Sequence, residues 1–212
     1  MDPSPERPRV ALTFDAEHAD RPASAGVTER LLDVLRDAGV AATFFVQGRW
    51  ALSEPSTTAR IAAEGHLVGN HSHHHARMTL LTRSGIAQEV QAAGAAISEA
   101  SGRDPRPWFR CPYGAGSRSA RVLNALAASG YVDVNWHVDS RDWAGGSVAS
   151  VTRRVVAGVE AQGDGAVVLL HGWPASTPDA VRLIIRELPG VDFVRVDALP
   201  VLPGRRAAPA PA

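Results

Sequence analysis

Short runs of consecutive apolar residues alternate along the chain with longer segments in which apolar and polar residues mix. Runs such as residues 10–14, 41–46 and 166–170 are typical of strands buried on both faces, as in a parallel sheet. In the segments between such runs, apolar residues recur every three or four positions, which predicts helices with one buried face. The predicted strands are 10–14, 41–46, 66–68, 108–110, 131–138, 166–170 and 193–196, and the predicted helices are 28–38, 56–64, 84–100, 117–128, 147–161 and 179–187.

This alternation of strand and helix predicts one α/β domain built on a parallel sheet with crossover helices. Such a sheet either closes as a (β/α) barrel or stays open and doubly wound. No glycine-rich phosphate loop follows the first strand, which weighs against a dinucleotide-binding fold. Thr28 is the expected N-cap of the first helix and Gly39 its stop. We expect residues 1–7 to be a lead, 8–200 the domain, and 201–212 a disordered tail of proline and alanine.

Charged and histidine side chains follow the ends of five predicted strands. They are Asp15, the pair His71 and His75, Arg110, Asp139 with Asp142, and His171. In a (β/α) barrel, the carboxyl ends of the strands form the rim at which ligands bind. We therefore expect these side chains to meet in one site.

Four of the eight histidines lie within residues 71–75, a cluster that suits a metal ion. If the segment opens a helix, His71 and His75 stand one turn apart on the same face, and both reach one ion. His73 and His74 then point elsewhere. On its own this spacing is more often a solvated loop without ligands, but the residues at the other strand ends favour the metal.

The composition excludes some partners and leaves the compartment open. The 212 residues carry 22 basic and 22 acidic side chains, and this balance, without a recognisable nucleic-acid module, argues against a nucleic-acid partner. The single cysteine excludes an internal disulfide. No segment approaches the length of a membrane span, and residues 1–9 contain no apolar signal core. We expect a monomer without membrane contact, cytoplasmic as the sequence is written, or secreted if a leader has been removed.

Five motifs, in this order, resemble those of the polysaccharide deacetylase family, also called the NodB-homology domain or carbohydrate esterase family 4. They are residues 13–17 (Thr-Phe-Asp-Ala-Glu), 71–75 (His-Ser-His-His-His), 110–114 (Arg-Cys-Pro-Tyr-Gly), 139–143 (Asp-Ser-Arg-Asp-Trp) and 169–171 (Leu-Leu-His). The resemblance covers nearly the whole chain and implies a distorted (β/α)7-8 barrel, NodB-like, with metal-dependent hydrolysis of an N-acetyl or O-acetyl group. Within the third motif, Cys111 takes a position where the family usually has proline, and we expect it to be a small buried hydrophobe.

The resemblance implies the residues that perform the reaction. His71 and His75 are the implied metal ligands, with Zn²⁺ as the default ion and Co²⁺ or Ni²⁺ suited to the same donors. Asp15 is the implied general base, which takes a proton from water. His171 is the implied general acid, which protonates the leaving amine.

The resemblance also implies the residues that support the base and the acid. Arg110 would orient the base and keep it ionised, and Asp142 would hydrogen-bond the acid and favour its protonated form. The backbone N–H of Tyr113 is the implied oxyanion donor. Trp143 and Leu169 would wall the pocket for the acetyl methyl group.

The first motif departs from the family pattern at the position of a metal ligand. The family usually has Asp-Asp-Gly where this chain has Asp15, Ala16 and Glu17, and a methyl group cannot bind a metal. Glu17 is the candidate replacement, because residues two apart on an extended segment share a face. His18 or Asp20 is the next alternative, and a site with no third protein ligand is the last.

We therefore expect a metal-dependent hydrolase that removes acetyl from an N-acetylated amino sugar, in a chitooligosaccharide, a peptidoglycan-type glycan or a sugar-containing metabolite. One alternative is a hydrolase of a non-sugar amide, imide or acetyl ester. The other, motivated by Ala16, is a catalytically dead carbohydrate-binding barrel. The expected partner is the acetylated glycan or small-molecule substrate itself.

Overall fold

The computed structural model describes residues 7–17 and 26–199. Its strands are β1 (Arg9–Ala16), β2 (Thr43–Val46), β3 (Leu67–Asn70), β4 (Trp108–Phe109), β5 (Val132–Asp133), β6 (Val138–Asp139), β7 (Ala166–His171) and β8 (Asp192–Phe193). Its helices are α1 (Val27–Asp37), α2 (Gly48–Ser53), α3 (Pro55–Ala63), α4 (Arg83–Ser101), α5 (Ala120–Ala128), α6 (Val148–Gln162) and α7 (Thr177–Glu187). None of these helices is both long enough and apolar enough to cross a membrane. The predicted tail at 201–212 lies outside the described residues.

The strands form one parallel sheet in the order β5-β4-β3-β2-β1-β7-β6, and β8 pairs with the start of β1. β1 is the centre of this arrangement, because it pairs with β2 on one side and along most of its length with β7 on the other. The β1–β7 register sets Asp15 opposite His171. Two residues from distant parts of the chain are therefore brought together at the carboxyl end of the sheet.

The short connection between β5 and β6 shows how strongly the sheet curls. These strands stand at opposite ends of the sheet order, yet only residues 134–137 separate them. The Val134 N–H donates to a backbone carbonyl of β4 at 2.7 Å, and the His137 N–H donates to a carbonyl of β7 at 2.9 Å. So short a segment can join both ends only if the sheet curls into a half-barrel. The single strand expected at 131–138 is thus wrong, because the chain leaves one edge there and joins the other.

Side chains of β1 alternate between two different environments. Val10, Leu12, Phe14 and Ala16 lie in the outer core, against residues of the surrounding helices. Ala11 packs inside the half-barrel with Phe45, Val134, Val167 and Val196. A fully buried leucine or phenylalanine in such cores stabilises the fold by about 1.5–3 kcal/mol. The same alternation directs Asp15 inward at the open end of the sheet, and Glu17 follows Asp15 on the inner face.

Three smaller differences from the sequence-based elements have local causes. The N-cap of α1 is Gly26, with φ 80°, and not Thr28. The Thr28 hydroxyl instead donates to the carbonyl of Gly172 at 3.0 Å and ties α1 to the loop after β7. α2 is an unexpected helix, too short to show a periodicity, and the strand expected at 193–196 contributes only β8 to the sheet.

Candidate metal and catalytic site

Three side chains that can bind a metal ion meet beyond the ends of β1 and β3. Nε2 of His71 lies 3.3 Å from Oε2 of Glu17 and 3.1 Å from Nε2 of His75. Oε2 of Glu17 also contacts Nε2 of His75. One ligand atom from each residue lies within 4.8 Å of the other two, and Glu17 and His71 are buried. Two imidazole nitrogens and one carboxylate oxygen form the donor set of a catalytic zinc site, so these residues fit a divalent cation.

A hydrogen bond on the far side of the His71 ring determines which nitrogen is available. Its Nδ1 lies 2.9 Å from the carbonyl oxygen of Arg110. Because a carbonyl only accepts, Nδ1 carries a proton, and Nε2 is the nitrogen that faces Glu17 and would be available to a metal ion. Burial lowers the pKa of His71, but the negative charges of Asp15 and Glu17 outweigh burial and raise it. The same carboxylates favour a metal cation at Nε2.

His71 and His75 meet through a loop, and the helix considered for residues 71–75 is wrong. The His71 N–H donates to the carbonyl of Val46 at 2.9 Å and so continues the pairing of β3 with β2. The chain then turns at Ser72 (φ 61°) and again at His75 (φ 58°), both in the left-handed region. The turn brings the rings of His71 and His75 to a centroid distance of 4.8 Å.

Asp15 lies between a buried arginine and His71. Nη1 of Arg110 donates to Oδ1 of Asp15 at 2.9 Å, while Oδ2 lies 3.4 Å from Nε2 of His71. Arg110 is fully buried; its Nε donates to the carbonyl of Val134 at 3.0 Å, and its guanidinium lies over the Phe45 ring, 4.1 Å from the centroid. One carboxylate oxygen is therefore fixed by a charged partner, and the other faces the candidate metal ligands, which is the placement that a base for an attacking water would need.

Asp142 holds His171 through both its ring and its backbone. Oδ1 lies 2.7 Å from Nδ1 of His171, and Oδ2 accepts the His171 backbone N–H and the Thr177 hydroxyl, each at 2.8 Å. Nε2 of His171 lies 3.9 Å from Oε1 of Glu17. Burial lowers the pKa of His171, but the hydrogen bond and charge of Asp142, with the charges of Asp15 and Glu17, outweigh burial and raise the pKa to about 9. The ring is protonated at neutral pH, as a general acid needs to be.

Asp15, Glu17, His75 and His171 line one cavity of about 360 Å³. The lining consists of Asp15, Glu17, His75, Tyr113, Trp136, Asp139, Trp143, Leu169, His171 and Trp173. Tyr113 and Trp143 are 56% and 50% exposed, so both are accessible to an incoming ligand. Aromatic rings beside carboxylates and a histidine are typical of a site for a polar molecule with apolar faces, such as a sugar.

Two of the lining residues, Trp136 and Trp173, lie outside the five motifs. The strand alternation contains a signal for both: Trp136 is two positions after Val134, which faces the inside of the half-barrel, and Trp173 is two after His171. The Trp173 ring lies 5.9 Å from that of His171, centroid to centroid. Counting in steps of two beyond a strand end therefore identifies side chains that the motifs do not.

The turn that carries Tyr113 is tight and anchored on both sides. Tyr113 has φ 58°, and the Gly114 N–H donates to the carbonyl of Cys111 at 2.9 Å. The Tyr113 ring packs 4.5 Å from that of His75, centroid to centroid.

Cys111 is buried, and its N–H donates to Asp133 at 2.9 Å, a bond that a proline could not make. Burial raises the pKa of the Cys111 thiol, which stays protonated. The role of Tyr113 as oxyanion donor stays a prediction.

Every residue that the motifs assign to the site lies in this region. His18 and Asp20, considered as replacements for the missing ligand at Ala16, lie outside the described residues. The side chain of Ala16 itself is in the outer core. Among the described residues, Glu17 is the carboxylate that meets both histidines.

Known proteins resemble this chain over most of its length. The model of the family described as polysaccharide deacetylase matches residues 2–134. The peptidoglycan-N-acetylglucosamine deacetylase of Listeria monocytogenes is 33% identical over 193 residues, which are 90% of this chain but 38% of that protein. A chitooligosaccharide deacetylase of Bradyrhizobium is 37% identical over 166 residues, which are 78% of this chain and 71% of that protein. The chain thus spans well under half of the Listeria relative.

Solved structures agree with these sequence matches. A family 4 carbohydrate esterase from Streptomyces lividans, in complex with acetate, superposes with a TM-score of 0.76 and 36% identity, over 86% of this chain and 88% of that one. A family 4 pseudoenzyme from Bacillus anthracis superposes with a TM-score of 0.81 and 27% identity, over 92% and 66%. The expected NodB-like (β/α) barrel is thereby confirmed.

Proposed function

Since this chain belongs to the polysaccharide deacetylase family, we propose that it is a metal-dependent hydrolase that removes acetyl from an N-acetylated amino sugar. The observation that carries the proposal is the convergence of Glu17, His71 and His75 beside a carboxylate–arginine pair and a protonated histidine. An acetamide is a poor electrophile, so its hydrolysis needs a Lewis acid, a base for water and an acid for the amine. The site contains candidates for all three.

The proposed metal ligands are Glu17, His71 and His75. A divalent cation held there would polarise the acetamide carbonyl and lower the pKa of a water molecule. Zn²⁺ is the proposed ion, and Co²⁺ and Ni²⁺ suit the same donors. Glu17 replaces the ligand that the family usually has at the position of Ala16, because alternation along β1 directs residue 17 inward and residue 16 into the outer core.

The proton transfers are assigned to groups of this chain. Asp15, fixed by Arg110, takes a proton from the attacking water. His171, kept protonated by Asp142, gives a proton to the nitrogen of the leaving amine. The backbone N–H of Tyr113 donates to the oxyanion, and a donor of this kind is typically worth about a hundredfold or more in rate.

The proposed substrate class is a glycan or oligosaccharide that contains N-acetylglucosamine. The names of the Listeria and Bradyrhizobium relatives refer to peptidoglycan N-acetylglucosamine and to chitooligosaccharides. In this chain, half-exposed Trp143 provides a ring on which a sugar can stack, and half-exposed Tyr113 lines the same cavity. Leu169, which is buried in the cavity wall, and Trp143 are suited to enclose the acetyl methyl group.

A catalytically dead carbohydrate-binding barrel is the second candidate. Two observations favour it: Ala16 replaces a usual ligand, and the chain resembles a family 4 pseudoenzyme. The position of Glu17 argues against it, because this carboxylate restores the missing oxygen donor. The two candidates differ in one observable, which is turnover in the presence of metal.

A panel of substrates tests the proposal and ranks the alternatives. Protein reconstituted with Zn²⁺, Co²⁺ or Ni²⁺ is offered N-acetylglucosamine oligomers, acetylated xylan and small amides or imides, beside a chelated control. We expect acetate release to be fastest from the oligomers, with one free amine formed per acetate. Faster hydrolysis of xylan or a small amide would contradict the amino-sugar substrate. Oligomer binding without acetate release at any metal would overturn the proposed activity and favour the dead barrel.

A further inference from the structure

The loop that joins the two histidine ligands is held in a strained conformation. Ser72 and His75 both have a left-handed φ, although neither is glycine. A residue with a Cβ adopts such a φ only at a cost in free energy, so contacts from outside the loop must hold it. His75 is itself a proposed ligand, and these contacts therefore also determine where its ring lies.

Glu89, on α4, provides such contacts. Its Oε2 accepts the backbone N–H of His73 at 3.0 Å and that of His74 at 2.9 Å, and its Oε1 lies 2.7 Å from Nδ1 of His74. The Glu89 side chain is only 13% exposed. Burial raises the pKa of Glu89, but the hydrogen bonds from the backbone and ring of His74 outweigh burial and lower it. We call residues 72–74, which join the two histidine ligands, the bridge. An ionised carboxylate thus accepts two consecutive N–H groups of the bridge.

The opposite side of the bridge is held by α2. The Gly48 N–H donates to the carbonyl of Ser72 at 2.9 Å, and the Arg49 N–H donates to the carbonyl of His73 at 3.3 Å. The carbonyl groups of the bridge are therefore bound by one helix, and its N–H groups by the carboxylate of another. A loop clamped in this way keeps one conformation despite its two left-handed residues.

We propose that Glu89 is a positioning residue of the metal site. By fixing His73 and His74, two of the three residues between the ligands, it holds Nε2 of His75 where it meets His71 and Glu17. The inference rests on the proposed metal site and adds to it a residue outside all five motifs. It also assigns a purely structural role to His74, whose ring pairs with Glu89 and not with the metal.

The test measures metal binding directly, with Co²⁺ as the probe. Co²⁺ is titrated into the metal-free full chain by calorimetry, the visible absorption of bound Co²⁺ is recorded, and the melting temperature of the metal-free protein is measured. We expect Glu89→Ala to weaken Co²⁺ binding by about 10- to 100-fold, as loss of a group that orients a ligand does, and to change the absorption spectrum. Glu89→Gln should recover most of the affinity, because its amide oxygen still accepts the backbone N–H groups. Glu99→Ala, exposed on the same helix, is the matched control and should bind like wild type.

Two outcomes would overturn the proposal. One is a Co²⁺ affinity and spectrum of Glu89→Ala equal to those of wild type; a lower melting temperature in that case would show a merely structural role. The other is no binding of Co²⁺ by wild type, which would also remove the proposed function. Binding by wild type without turnover of any acetylated substrate would overturn the proposed function and leave the role of Glu89 standing.

Discussion

Glu17→Ala is expected to abolish tight metal binding and deacetylation together. The substitution leaves two imidazole ligands and removes the oxygen donor that meets both. We expect the affinity for Zn²⁺ to fall by at least about a hundredfold. Loss of a residue that only orients a ligand already costs up to about a hundredfold, and loss of a ligand should cost more. Acetate release should fall to background, since nothing then polarises the carbonyl. Elemental mass spectrometry on untagged protein, wild type beside variant, measures the metal, and acetate release is followed on the same samples.

Two further variants make this prediction specific to position 17. Glu17→Asp keeps a carboxylate on the inner face, one methylene shorter, and should bind metal with intermediate affinity. The double variant Ala16→Asp/Glu17→Ala should not recover binding, because the side chain of Ala16 is 1% exposed and lies in the outer apolar core. Recovery of metal and activity in the double variant would show that residue 16 provides the ligand position after all. Metal retained by Glu17→Ala would exclude Glu17 as a ligand.

His171→Ala is expected to lower kcat by about a hundredfold to ten-thousandfold, the usual contribution of a general acid. The fold should persist, because Asp142 keeps the backbone N–H of residue 171, the Thr177 hydroxyl and the Trp143 N–H as donors. The metal content should be unchanged, since the ring is not among the three proposed ligands. Full activity, or loss of metal from this variant, would contradict the role given to His171.

The pH profile checks the same role without removing the ring. A general acid must be protonated, so activity is lost as pH rises through its pKa. Asp142→Asn removes the charge that raises the pKa of His171, and the alkaline limb of kcat should therefore move to lower pH by about one unit or more. Asp139→Asn, in the lining of the same cavity, is the control and should leave the limb nearly in place. If the alkaline limb of Asp142→Asn does not move, this limb does not report the titration of His171.

Much of the site follows from the sequence because it obeys local periodicity. Apolar runs fix the strands, and in a parallel sheet their carboxyl ends share one edge, so Asp15 and His171 could be expected to meet. The period of two along β1 places Asp15 and Glu17 on one face and Ala16 on the other, and this makes Glu17 the candidate metal ligand before any contact is seen. These inferences require only knowledge of which residues are apolar and of where the strands end.

Other parts of the site depend on contacts between distant segments. The sequence of residues 71–75 predicts the start of a helix, because no local feature shows that Ser72 and His75 adopt a left-handed φ. That conformation depends on Glu89 and α2, which lie on other elements. The break between β5 and β6 has the same origin, since the chain there changes its partner strand. No period in the sequence encodes such a change.

Whether Glu17, His71 and His75 together hold one cation is tested most directly by diffraction from crystals grown with Zn²⁺, with data on both sides of the zinc absorption edge. We expect one anomalous peak within about 2.0–2.2 Å of the Glu17 carboxylate and of Nε2 of both histidines. A peak at His73 or His74 would contradict the assignment. So would a peak between His71 and His75 from which the Glu17 carboxylate is turned away.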